Sequence, residues 1–156
     1  ATGLVSNLAR RPQGNDRAQV KGIYEGLCDI AIINNYYFGK LKYSEDPVQR
    51  EWAKSMRLTF PNQGEGDRGA HINISGGGVA KHSKNKESAI KLLEFLSNSK
   101  SQKMYSEINF EYPVNVKVEP SEELVSWGNF REDKISIEKI AQLSIDAQKI
   151  IDRVGW

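Results

Sequence analysis

The sequence predicts an α/β protein with largely parallel strand pairing. Helical and strand-like patterns alternate along its 156 residues, which is typical of this class. The apolar run over residues 29–33 is short and bounded by polar residues, as in a strand buried on both faces. The composition, with 38% hydrophobic and 27% charged residues, is that of a globular protein with one ordinary core.

The first part of the chain reads as helix, strand, helix and strand. Asn15 or Asp16 can cap the first helix, and Asp46 followed by Pro47 is a typical helix start. The predicted helices cover residues 17–27 and 47–55, and the predicted strands cover residues 29–33 and 57–60.

The later part begins after a polar, turn-rich segment over residues 61–70, a candidate lobe boundary. Residues 71–80 alternate like a strand that Gly76, Gly77 and Gly78 interrupt. Apolar residues recur at helical spacing further on, with a buried side expected for the last helix. The predicted helices cover residues 85–98, 99–109 and 136–154, and residues 111–118 read as extended.

Charge and motif content exclude several classes of function. The net charge of +2 comes from 22 basic and 20 acidic residues that are interspersed, so nucleic acid is not an expected partner. No apolar run approaches the roughly 18 to 20 residues that cross a bilayer, so we expect a protein that is not membrane-embedded. The single Cys28 provides no disulfide framework, and no GxSxG or comparable nucleophile motif indicates an enzyme.

Two adjacent tyrosines, Tyr36 and Tyr37, follow the predicted strand over residues 29–33. In a strand their side chains would point to opposite faces, so they converge only in a turn or in the first turn of a helix. Ionising two phenols at pH 7 costs about 8 kcal/mol. A lysine at ~4 Å in water offsets only about 1 kcal/mol of this, whereas a trivalent cation at about 2 Å attracts each phenolate by roughly 6 kcal/mol. A phenolate pair therefore favours a hard cation such as ferric iron.

The tyrosines alone leave simpler interpretations open. Two neighbouring tyrosines are more often one buried and one exposed ring than a metal site. His71 and His82 lack a second ligand at metal-binding spacing, so both are more simply ordinary histidines. The three glycines over residues 76–78 are not followed by a GK[ST] sequence, so a backbone role is favoured over phosphate binding.

Four stretches of the sequence together resemble a known family. They are ARRPQGNDRAQ (9–19), EGLCDIAIINNYYFGK (25–40), RGAHINISGGGVAKHSKNKESAIKLLEFL (68–96) and INFEYPV (108–114). The combination resembles the ferric-ion-binding periplasmic proteins of bacterial ABC transporters and their cyanobacterial iron-uptake relatives. The resemblance covers the whole chain but only the carboxyl-terminal half of that family's usual length.

The resemblance implies a periplasmic solute-binding protein that captures Fe(III) without chemical turnover. Tyr36 and Tyr37 occupy the positions of the family's iron ligands in an interlobe cleft. In some members a synergistic anion, carbonate or phosphate, completes the coordination sphere, and the residues at the positions of Asn15 and Asn34 lie near it. The expected recipient of the iron is an inner-membrane ABC transporter permease.

The resemblance also implies a periplasmic binding protein type II-like lobe, with a mixed sheet flanked by helices, in an incomplete two-lobe architecture. Residues 1–66 and 118–156 would belong to the second lobe, and residues 67–117 would complete the first. We expect the missing amino-terminal half to come from a partner chain, or the chain to self-associate, because an apolar stripe in the helix over 85–98 is otherwise exposed. A binding protein of the same fold for an organic anion or amine, and a metal-free interaction domain, remain alternatives.

Overall fold

The structure is a computed structural model that describes residues 1–156, and its regular elements are helical. Every helix with predicted bounds is present within three residues of those bounds, except that the one predicted over 99–109 is divided into an α-helix and a π-helix. None of the helices is both long and apolar enough to cross a membrane. The elements are α1 (Thr2–Val5), α2 (Asp16–Tyr24), α3 (Asn35–Lys42), α4 (Pro47–Lys54), α5 (Lys86–Ser97), α6 (Ser99–Met104), a π-helix (Tyr105–Asn109), α7 (Glu122–Ser126) and α8 (Ile137–Val154).

The structure corrects the predicted sheet, since residues 29–33, 57–60 and 71–80 form no strands. No backbone hydrogen bond joins residues 29–33 or 71–79 to another segment. A strand is stable only when its N–H and C=O groups pair with a neighbouring strand, and these segments have no such neighbour in this chain. The only strand-like pairing is one parallel bridge between Ala70 and Glu132.

Helix α2 ends three residues before its predicted end, because Gly26 reverses the chain. Gly26 has a φ of 71°, a left-handed conformation that glycine adopts without a steric penalty. Its N–H donates to the carbonyl of Ile23, and the N–H of Leu27 donates to the carbonyl of Gly22. These two bonds form a Schellman motif, which satisfies carbonyls at the helix end and directs the chain towards α3.

A small core holds α2, α3 and α4 together. Val20, Leu41 and Ala53, one from each helix, are buried at its centre. Four partly buried residues surround them: Ile33, Phe38, Trp52 and Met56. We call these three helices with their shared core the α2–α4 cluster. The cluster fixes the position of α3, which carries the tyrosine pair.

The rest of the chain leaves much apolar surface uncovered. Helices α5 and α8 contain no buried residue, so the predicted burial of one side of α8 is wrong. Its Ile137 and Ile151 are 52% and 37% exposed, and Leu92 of α5 is 55% exposed. The accessible surface of 11837 Å² is about half as large again as the roughly 7900 Å² expected for a compact monomer of this mass.

Candidate functional site

The tyrosine pair lies in the first turn of α3. The helix begins directly after Asn34, whose backbone is extended with φ −73° and ψ 133°. The rings of Tyr36 and Tyr37 lie side by side, with centroids 4.4 Å apart and planes inclined by 30°. Both residues are partly buried, so the pair is not divided into one buried and one exposed ring. This placement allows the two side chains to serve one ligand.

Cationic side chains lie against both rings. The ammonium nitrogen of Lys40 is 4.9 Å from the centroid of the Tyr36 ring, and the guanidinium carbon of Arg17 is 5.9 Å from that of Tyr37. Such contacts stabilise a ring position by about 0.5–1 kcal/mol at partly exposed sites. Lys40 also lines an open cleft of about 780 Å³ between α3, the π-helix and α7. The tyrosines themselves do not line this cleft, and the two cations hold their rings in place.

The surroundings of the pair oppose its ionisation when no cation is bound. The pKa of Tyr36 is raised to about 12, first by hydrogen bonding with the Tyr37 hydroxyl and next by burial. The negative charges of Asp16 and Glu111 raise it further. At neutral pH the phenol is therefore protonated. The same negative charges would attract a metal ion, so a cation can reverse this preference.

These two charged neighbours, Asp16 and Glu111, were not identified from the sequence. Asp16 is the first residue of α2, and its Oδ1 accepts hydrogen bonds from the backbone N–H and the side-chain amide of Asn34, at 2.7 and 3.1 Å. Glu111 follows the π-helix and accepts a hydrogen bond from the side chain of Asn109. They lie 20 and 75 residues from Tyr36 along the chain, so no local motif connects them to it. The GND sequence around Asp16 indicated a helix cap and nothing more.

The two asparagines expected near an anion have different environments. Asn15 caps α2, because its side-chain oxygen accepts a hydrogen bond from the N–H of Ala18 at 3.2 Å. Asn34 directs its side-chain amide to Asp16. Asp16 follows Asn15 directly, so it connects the start of α2 to the start of α3. The structure thus brings the asparagines and the tyrosine pair into one region.

The other end of α3 is fixed by Glu123 of α7. Its carboxylate accepts hydrogen bonds from Lys42 at 2.7 and 2.8 Å, from the Tyr43 hydroxyl at 2.7 Å and from the Trp127 indole N–H at 2.9 Å. Burial alone would raise the pKa of Glu123. The three donors outweigh this effect and hold the pKa below its ordinary value. The carboxylate is therefore ionised at neutral pH and binds α7 to α3.

Phe110 packs against the middle of α3. A Cβ atom placed on Gly39 would overlap the ring of Phe110, so the close approach requires glycine. Phe110 itself has a φ of 59°, a conformation that costs a non-glycine residue roughly 1–3 kcal/mol. Its ring stacks on Tyr43 at a centroid distance of 5.4 Å, and its carbonyl accepts a hydrogen bond from the Asn35 side chain at 3.5 Å. Two contacts therefore oppose this backbone strain.

No group of three or more histidine, cysteine, aspartate or glutamate side chains is arranged to hold a metal ion. The tyrosines are consequently the main candidate donors of this chain. Their oxygens, together with nearby carboxylates, are hard ligands that match a hard cation. The candidate site is therefore a group of oxygen donors around the tyrosine pair.

Comparison with known proteins shows which proteins have a similar sequence and structure. No protein-family model matches the chain. Its structure is similar to ferric iron-binding protein A of Mannheimia haemolytica in an open conformation, with a TM-score of 0.89 and 48% identity over 99% of this chain and 47% of that one. It is also similar to IdiA (FutA) of Trichodesmium, solved in complex with iron and citrate, with a TM-score of 0.90 and 45% identity over 99% of this chain and 48% of that one.

Curated relatives are similar to the chain along its full length. It is 43% identical over 156 residues to iron uptake protein A1 of Synechocystis, covering 100% of this chain and 43% of that protein. It is 28% identical over 145 residues to the major ferric iron-binding protein of Neisseria meningitidis, covering 93% of this chain and 42% of that protein. The resemblance to ferric-ion-binding proteins and cyanobacterial iron-uptake relatives is thereby confirmed. The chain spans a little less than half the length of these relatives.

Proposed function

We propose that this chain contributes two phenolate ligands, Tyr36 and Tyr37, to a ferric iron site of an iron-uptake binding protein. The observation that carries the proposal is the position of the two rings, 4.4 Å apart in the first turn of α3. Homology to ferric iron-binding proteins supports iron as the ligand. The function is capture and delivery, because the relatives are named as binding and uptake proteins and not as enzymes.

Iron binding at this pair would release protons. Each phenol must lose its proton to become a ligand, and the pKa of Tyr36 is about 12 before the ion binds. Below that pKa, two released protons weaken the apparent affinity by up to about 100-fold for each unit of pH. The site would therefore retain iron at neutral pH and lose it on acidification.

We also propose that an anion, carbonate or phosphate, binds beside Asn15 and Asn34 together with the iron. The amide of Asn34 lies at the start of α3, where backbone N–H groups favour negative charge. The Asp16 carboxylate bonded to Asn34 repels an anion when no cation is present. An anion would accordingly bind after the iron rather than before it.

The proposed setting is a two-lobed protein of the periplasm that delivers iron to an inner-membrane ABC transporter permease. Residues 1–66 and 118–156 would belong to one lobe and residues 67–117 to the other, with the iron in the cleft between the lobes. Further iron ligands would come from a partner chain that supplies the rest of the relatives' length, or from self-association. The large accessible surface supports such an assembly, because exposed apolar faces of this extent mark interaction sites.

The test is a titration of the chain with ferric nitrilotriacetate, followed by visible absorption. Phenolate coordination produces a ligand-to-metal charge-transfer band, and the double variant Tyr36→Phe, Tyr37→Phe is expected to abolish it. A matched control is Tyr24→Phe with Tyr105→Phe, which removes two hydroxyls elsewhere and should preserve the band. Absence of a band in the unmodified chain would contradict the proposal and favour another small solute or a metal-free interaction domain.

A further inference from the structure

Assuming the proposed function, we infer that Asp16 is a positioning residue that holds the first turn of α3 in the conformation that brings Tyr36 and Tyr37 together. Asp16 acts through Asn34 and does not itself need to touch the iron. The inference concerns the hydrogen bonds of its carboxylate and assigns no role to its charge.

The hydrogen bonds of Asn34 are the first part of the argument. Asn34 is the residue that precedes α3, and asparagine at this position ordinarily caps its own helix with its side-chain oxygen. Here the side chain makes no capping hydrogen bond. Its amide donates instead to Oδ1 of Asp16 at 3.1 Å, and its backbone N–H donates to the same oxygen at 2.7 Å. One oxygen atom of α2 therefore fixes both the backbone and the side chain of Asn34.

The anchoring of α2 is the second part. Asn15 caps this helix, and Val20, one turn after Asp16, is fully buried in the core of the α2–α4 cluster. Asp16 is thus a fixed point relative to the body of α3, whose Leu41 is buried in the same core. Because both helices are anchored in this core, the hydrogen bonds between Asp16 and Asn34 can fix the start of α3 relative to α2.

The position of the tyrosines is the third part. Tyr36 and Tyr37 are the second and third residues of α3, and the first turn of a helix has N–H groups without helical partners. Such a turn frays readily when the residue before it is not held. Each residue that leaves the helix changes the direction of its side chain, so fraying by two or three residues separates the rings. The Asp16–Asn34 bonds oppose that fraying.

The experiment compares two substitutions of Asp16. Asp16→Asn retains an oxygen that can accept both hydrogen bonds, whereas Asp16→Ala removes the acceptor. Two readouts are used: the nuclear Overhauser effect between the rings of Tyr36 and Tyr37 in the metal-free chain, and the apparent affinity for ferric nitrilotriacetate from the charge-transfer band. We expect Asp16→Ala to lose most of the ring-to-ring effect and about 10-fold in affinity. Asp16→Asn should retain the ring-to-ring effect, while its affinity also reflects the loss of a negative charge near the ion, so the ring-to-ring effect is the measurement that separates the two substitutions.

Asp46→Ala is the matched control. Asp46 also bonds a backbone N–H at a helix start, that of Val48 at 2.8 Å, but at α4 rather than α3. Its removal should leave the ring-to-ring effect unchanged. If Asp16→Ala does not fold, Asn34→Ala in the metal-free chain replaces it, because this variant removes only the side-chain bond and is expected to weaken the effect partially.

Three outcomes would overturn the inference. The first is an unchanged ring-to-ring effect in Asp16→Ala. The second is an equal loss of the ring-to-ring effect in Asp16→Asn and Asp16→Ala. The third, where Asn34→Ala replaces Asp16→Ala, is an unchanged ring-to-ring effect in Asn34→Ala. Equal losses would show that the charge of Asp16 matters rather than its hydrogen bonds. A missing charge-transfer band in the unmodified chain would instead reject the proposed function. In that case the ring-to-ring measurement on the metal-free chain still decides whether Asp16 positions the pair.

Discussion

The α2–α4 cluster differs from helix α5 and the segment before it in how far apolar side chains are buried and backbone groups are hydrogen-bonded. In the cluster each helix buries a residue against the other two, and its helix starts are capped by side chains or bonded across helices. Helix α5 buries nothing, and residues 71–79 before it make no backbone hydrogen bonds to other segments. The difference shows that the part carrying the tyrosine pair is stabilised by contacts among its own helices. The other part lacks comparable contacts within this chain.

The largest expected effect is a loss of stability in the α2–α4 cluster, which a comparison of one leucine from each region measures. Leu41→Ala removes a fully buried side chain from the cluster and should lower the free energy of unfolding by about 2–5 kcal/mol. Leu92→Ala, at a residue that is 55% exposed in α5, should change it by less than about 0.5 kcal/mol. Chemical denaturation followed by circular dichroism measures both. A large loss in Leu92→Ala would show that α5 is covered in solution, and the contrast between the regions would disappear.

A smaller effect is expected from Glu123, which joins α7 to the cluster. Glu123→Gln should lower the free energy of unfolding at pH 7 by about 1.5–3 kcal/mol, because hydrogen bonds to a charged acceptor from Lys42, Tyr43 and Trp127 are weakened. The pKa of Glu123 is lowered from 4.5, so its stabilisation is complete above that pH and is lost as the pH falls through the folded-state pKa. Denaturation curves at pH 7 and below pH 4.5 test this. A difference between variant and parent that does not shrink on acidification would argue against an ionised Glu123.

The smallest effect on stability, and a large one on titration, is expected from Tyr37→Phe. The Tyr37 hydroxyl is the main cause of the raised pKa of Tyr36, so its removal should bring that pKa from about 12 towards 10.0. A raised phenol pKa stabilises the fold below pH 10.0, and this contribution is lost as the pH rises through about 12. Ring chemical shifts of Tyr36 against pH measure the change. An unaltered Tyr36 pKa would mean that the two hydroxyls do not interact in solution.

The helices were predictable because their signals are local. Asn15 and Asp46 cap α2 and α4 as expected, and the C-terminal reversal of α2 at Gly26 involves only adjacent residues. Strand formation depends on a partner that sequence patterns do not reveal, so the strand over residues 29–33 was wrongly predicted. Its Ile30 and Ile32 are 83% and 73% exposed. The apolar side of α8 shows the same limit, since amphipathic spacing specifies which side can be buried and not what covers it.

The candidate site was predictable in part. Tyr36 and Tyr37 were expected to converge only at a turn or a helix start, and they lie in the first turn of α3. Their ligation of iron stays a prediction. Asp16 and Glu111 were missed because their relation to Tyr36 arises from packing between distant segments. A carboxylate next to a helix cap is ordinarily explained by its interaction with the helix start, and only the structure shows that Asp16 accepts hydrogen bonds from Asn34.

Phe110 connects the loop that contains Glu111 to the helix that carries the tyrosine pair. Its ring occupies the space that a side chain on Gly39 would need, and its carbonyl holds Asn35 at the base of the pair. The loop that ends in Glu111 is therefore packed closely against α3. A side chain at position 39 would therefore displace this loop and move Glu111 relative to the tyrosine pair.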